Sequence, residues 1–110
     1  MPQEQPNPQE IIQKRKDFAP KLMELNEKVL FGDIWERPGL SKRDRSLITV
    51  ATLVALYRIN ELPFHIARAR ENGISKDELV EVFTHLAFYA GWPSAMTAVN
   101  IAMEVLADTE

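Results

Sequence analysis

The 110-residue chain contains no cysteine. That single absence excludes structural disulfides, thiolate metal sites, thiol nucleophiles and CxxC redox chemistry. Histidine is nearly as scarce: there are two, His65 and His85, too few for a His-rich zinc site within one chain. The four glycines, at 32, 39, 73 and 91, are scattered and form no phosphate-cradling loop. No serine sits in a nucleophile-elbow motif, and no carboxylate cluster has calcium or magnesium spacing. Positive charge is not in excess either. Thirteen Lys and Arg face 16 Asp and Glu, a net charge of −3, so a phosphate backbone finds no basic surface and nucleic acid is not an expected partner. Long apolar runs are also missing. The longest, Leu47 to Tyr57 (LITVATLVALY), has 11 residues, well short of the ~20 needed to span a bilayer as a helix. The amino terminus, MPQEQPNP, is polar and proline-rich with no apolar signal core. These features together predict a cytoplasmic protein with no membrane role.

What is present reads as one all-α domain. Apolar residues make up 45% of the chain and charged residues 26%, which is ordinary for a globular protein. Three prolines in residues 1–8 predict a flexible tail, followed by a single domain over 9–110. From Gln9, Ile11, Ile12, Phe18, Leu22, Leu25, Val29 and Leu30 recur at three- and four-residue steps, predicting helix with a break or bend at Pro20. Phe31 to Leu40 carries two glycines and a proline and reads as a loop. Ser41, with Asp44 three residues on, caps a helix predicted over about Lys42–Tyr57. Asn60 is a candidate N-cap for the next helix, Pro63 falls in its first turn and Gly73 ends it. Ser75 and Glu78 make a capping box for a helix running to about Ala90; Gly91 stops it, and Pro93 opens a last helix ending near Leu106.

The Lys42–Tyr57 helix is apolar nearly all round, with Thr49 and Thr52 the only interruptions after Leu47. Such a helix has to be covered on every side. A thin bundle of about five to six helices cannot do this with one copy of the chain, so a homo-oligomer is expected.

Chemistry can reside in few places. Glu61 and His65 are four residues apart and share a helical face. A carboxylate there can fix the imidazole tautomer and raise its pKa, leaving the other ring nitrogen free to move a proton; the same spacing also suits a plain surface ion pair. His85 forms a stripe with Glu81 and Tyr89, distinct from the apolar positions of its helix. It is either a second proton donor or substrate contact, or an amphipathic packing residue. Arg43, Arg45 and Arg58 bracket the apolar helix, and arginine can hold a carboxylate with two parallel hydrogen bonds. Arg45, near a helix start where a cation is mildly unfavourable, hints at an anionic partner, Asp33 or Asp44 among them. Trp35 and Trp92 can wall a pocket or serve as packing anchors.

The segments GD-x-W-x-RPGL, R-SL-x-T-x-A, EL-x-x-H with its NG turn, and YAG-x-P resemble the carboxymuconolactone decarboxylase family over Phe31 to Leu106, about two-thirds of the chain. The resemblance implies an alkyl hydroperoxidase D-like helical fold assembled as intertwined dimers, often three to a hexamer. That family has a thiol peroxidase branch, whose CxxC frame falls here on Arg58, Ile59, Asn60 and Glu61 with His65 in the histidine place, while its upstream glutamate falls on Ser46. Without a thiol, that chemistry is excluded. The resemblance therefore points to the cofactor-free branch similar to γ-carboxymuconolactone decarboxylase, which needs no metal or organic cofactor. It implies His65, Glu61 and His85 as catalytic residues and Arg45, Arg58, Tyr89 and Trp35 around a small carboxylate substrate. A non-catalytic oligomeric small-molecule-binding protein of the same fold is the other reading, and a metal held by His65, Glu61 and His85 across subunits is a third.

Overall fold

The computed structural model describes residues 7–107. Among them every regular element is helical: six α-helices, a π-helical segment and one 3-10 turn, with no strand. The chain groups into two compact units, one closing at Gly39 and the other opening at Leu40.

The first unit holds α1 (Pro8–Phe18), α2 (Pro20–Leu25), the π-helical Asn26–Phe31 and the 3-10 turn Ile34–Glu36. The side chain of Asn7 accepts the Glu10 N–H at 2.9 Å and caps α1, with Pro8 in its first turn. Of the tail expected over 1–8, Asn7 and Pro8 thus belong to a helix start, and the rest lies outside the described residues. Pro20 divides the helical stretch as its missing N–H requires, and opens α2. The π-helical segment brings backbone close at Gly32, where a Cβ would lie 2.6 Å from the Lys28 carbonyl oxygen. Only glycine fits there. No residue of α1, α2 or the π-helical segment is buried.

The second unit is a four-helix arrangement: α3 (Lys42–Ala55), α4 (Leu62–Glu71), α5 (Lys76–Leu86) and α6 (Trp92–Val105). Its core joins Val50 and Val54 of α3, Leu62 and Ile66 of α4, Leu79 and Phe83 of α5, and Ala98 and Ala102 of α6. The small residues of α6 allow α4 and α5 to pack close against it. Helix α3 buries one face, through Ser46, Val50 and Val54, while Ile48 and the C-cap residue Leu56 remain 52% and 66% exposed. Among the described residues, then, the apolar helix is not covered on every side.

Local caps follow the sequence signals closely. The Ser41 hydroxyl accepts the Asp44 N–H at 3.0 Å. Ser75 and Glu78 form both halves of their capping box. Gly73 ends α4 at φ +97°, whereas Gly91, expected to stop the preceding helix, is instead the N-cap of α6 at φ +108°. Three helix ends differ from expectation. Helix α3 stops at Ala55 rather than Tyr57, because Tyr57 turns left-handed at φ +59°. The N-cap of α4 is Glu61, not Asn60, which sits in the preceding turn. Helix α5 ends at Leu86 rather than Ala90; the Phe88 and Tyr89 N–H groups bond three residues back, to His85 and Leu86, and tighten the chain out of the α-helix. No helix of the described residues is long and apolar enough to cross a membrane.

Candidate active site

His65 stands in the first turns of α4, whose entrance Pro63 and the Glu61 carbonyl define; the His65 N–H points to that carbonyl at 3.4 Å. The imidazole is half-buried, and its Nδ1 is withdrawn from solvent. The Phe64 ring meets it edge-on, centroid to centroid at 5.0 Å. Burial pushes the imidazole pKa below its ordinary 6.5, the Arg68 cation one turn on lowers it further, and the Glu61 carboxylate opposes both. The sequence reading expected Glu61 to raise the pKa of His65. It does act in that direction, but burial and Arg68 outweigh it. Arg68 stands three residues from His65, a spacing visible in the sequence.

Glu61 has a second neighbour. The Arg58 guanidinium lies 3.9 Å from its carboxylate, both side chains being more than half exposed. Arg58 thus faces the acid of the pair across the turn, on the side opposite His65 in sequence. Arg45, in the first turns of α3, is half-buried with its Nε shielded from solvent. Asp44, one of the partners considered for it, sits 4.0 Å from Arg43.

His85 occupies different ground. It lies on α5 and stacks on Tyr89 at 4.7 Å, the rings 24° from parallel. With Glu81 it lines a groove of about 460 Å³ between α3 and α5. Leu47, Ala51, Val82 and Leu86 make the groove's apolar lining, and Arg43, Glu78, Glu81 and His85 its polar one. Arg43 hydrogen-bonds to Glu78 across the two helices. Glu78 is held below the usual carboxylate range, first by the Ser75 backbone N–H of the capping box and then by Arg43. The groove takes in His85 but neither His65 nor Arg45. Trp35 is buried in the first unit, stacked on Phe31 at 5.9 Å. Trp92 is 61% exposed at the start of α6. Among the described residues, no three His, Asp or Glu side chains gather as a metal site.

Two features had no advance notice. Ser46 is fully buried and accepts a hydrogen bond from the Asn72 side-chain amide at 2.9 Å, pinning the end of α4 to α3. The Arg43–Glu78 contact joins positions 35 apart. Neither carries a local signature; a serine inside an apolar helix is the one hint.

A family model described as the carboxymuconolactone decarboxylase family matches residues 20–104. The chain belongs to this family. Within the carboxymuconolactone decarboxylase family it is 38% identical over 97 residues to a 4-carboxymuconolactone decarboxylase of Acinetobacter baylyi, covering 88% of this chain and 72% of that protein. It is 33% identical over 78 residues to a nitrosuccinic acid decarboxylase of Metarhizium robertsii, covering 71% of this chain and 54% of that one. The matched residues include Glu61, His65 and His85.

Proposed function

We propose that this chain is a carboxy-lyase that removes CO2 from a small carboxylated lactone or related organic acid, with the Glu61–His65 pair handling the proton. The observation that carries this reading is the 38% identity, over 88% of the chain, to a protein named for that reaction. The second relative, a decarboxylase of another small acid, supports the reaction class more than the substrate.

In this reading Arg45, then Arg58, holds the carboxylates of the substrate. The bond to the departing carboxylate breaks, and its electron pair passes through the conjugated double bond to the lactone carbonyl oxygen. A dry, apolar surrounding favours loss of the charged carboxylate as neutral CO2, and a hydrogen-bond donor, His85 or Tyr89, stabilises the developing oxyanion. His65 delivers a proton to carbon and regains one from solvent. Its lowered pKa leaves the resting imidazole mostly neutral at pH 7. An anionic substrate beside it favours the imidazolium, so proton uptake accompanies substrate binding.

The working unit in this reading is an oligomer in the alkyl hydroperoxidase D-like fold, dimers gathered three to a hexamer, with the site completed by a second copy. The apolar side chains that one chain leaves uncovered support this: Phe18 is 92% exposed and Phe88 78%. The test is direct. Incubation with 4-carboxymuconolactone is followed by CO2 release and by ultraviolet absorbance. Turnover supports the reading; a properly assembled protein that leaves the lactone and related small acids unchanged overturns it.

A further inference from the structure

Tyr57 is the one non-glycine residue with positive φ among the described residues, at +59°. For a bulky side chain this is a strained backbone. The surrounding hydrogen bonds say why the chain turns there. The Arg58 N–H bonds to the Leu53 carbonyl at 2.8 Å and the Tyr57 N–H to Val54 at 3.1 Å, the double closure of a Schellman motif. The same motif ends α4, where the Ile74 N–H bonds to Ala69 and the Gly73 N–H to Arg70. There the left-handed position is glycine, the residue that occupies it without strain. The two helix ends thus form an internal comparison in which the tyrosine is the departure.

Burial does not explain it, since Tyr57 is 52% exposed. Its hydroxyl instead lies 3.4 Å from the Thr97 hydroxyl of α6, and α6 packs against α4. The turn that begins at Tyr57 carries Arg58 and ends at Glu61, the N-cap of α4 one turn before His65. Strain of this kind persists where the position of a neighbouring group matters.

We propose that Tyr57 is a positioning residue for the Glu61–His65 pair: its left-handed backbone and its hydroxyl on Thr97 tie the turn that carries Glu61 to α6, fixing the carboxylate relative to His65. The inference rests on the functional reading above, and its test has a readout that needs no substrate. The His65 ring protons are titrated by NMR in the wild-type protein and in Tyr57→Phe and Thr97→Val. Both variants remove the tether, so Glu61, the group that holds the His65 pKa up, loses its fixed place and the titration midpoint falls. Thr97→Ser keeps the hydroxyl and restores the midpoint. Tyr57→Gly removes the strain but also the tether, so its midpoint falls as it does in Tyr57→Phe. With a carboxylated lactone as substrate, kcat in Tyr57→Phe falls about tenfold or more with KM little changed. An unchanged midpoint in either tether variant overturns the inference. Failure of the wild-type protein to decarboxylate the lactone, with the midpoints shifted as stated, removes the functional reading and leaves the positioning role in place.

Discussion

Replacing Asn72 with alanine is expected to cost more stability than replacing Ser46 with alanine, although both changes delete the same 2.9 Å hydrogen bond. The difference lies in what is left behind. Ser46 is 0% exposed, so in Asn72→Ala its hydroxyl oxygen loses its donor where water cannot replace it. That carries the desolvation penalty of a stranded buried group, about 2 kcal/mol within a range of roughly 1–3. In Ser46→Ala the Asn72 amide is the survivor, and it is only half-buried. It can turn to solvent, so the cost falls to the net worth of one hydrogen bond, about 1 kcal/mol. The double variant strands nothing buried, and it should be no less stable than Asn72→Ala alone; the two costs are therefore not additive. Urea unfolding followed by circular dichroism, at one fixed protein concentration, reads the difference as about 0.5 M or more in the midpoint at unchanged slope. Equal costs, the reverse order or strict additivity would refute the reasoning. The pair also bears on the site, because it pins the end of α4, the helix that carries His65, to α3.

Three further outcomes follow from the same geometry. If His65 is the acid, kcat/KM falls as pH rises through a midpoint below 6.5, since burial and Arg68 favour the neutral imidazole; Glu61→Gln moves that midpoint lower still, and a rate that instead climbs with pH assigns His65 the role of base. Phe83→Ala, at a position 1% exposed in the core, should cost about 3–5 kcal/mol in urea unfolding, and a cost below about 1 kcal/mol would mean that the α5 packing described here is wrong. Arg43→Gln removes one of the groups holding Glu78 down, so the Glu78 titration followed by NMR climbs back toward the ordinary carboxylate range, though not all the way, because the Ser75 N–H remains; a full return would show that the capping box contributes nothing.

Much of the fold was legible because helix starts and stops are local chemistry. Ser41, the Ser75–Glu78 box, Gly73 and Pro20 each act through backbone groups within four residues, and each marks the boundary expected of it. The ends that differ break these local rules. At Tyr57 a residue type that ordinarily avoids the left-handed region adopts it, and at Asn60 a good capping residue is passed over for Glu61. The contact that the Tyr57 side chain makes, with Thr97, lies 40 positions away, outside any local window of sequence. The site divides in the same way. The Glu61–His65 spacing was readable, as was the His85–Tyr89 stripe, which the structure stacks at 4.7 Å. The electrostatic balance on His65 was not, because burial is its largest cause and depends on helices far away in the chain. The Arg43–Glu78 bond and the Ser46–Asn72 clamp likewise join different helices and leave no periodic trace.

The central claim is that His65 moves the proton in a decarboxylation. Its most direct test compares wild-type protein with His65→Ala on 4-carboxymuconolactone, following CO2 release and ultraviolet absorbance, with size-exclusion chromatography checking that both elute alike. The account predicts turnover by the wild type and a loss of about 10²-fold or more in the variant. Equal turnover by both proteins would contradict it.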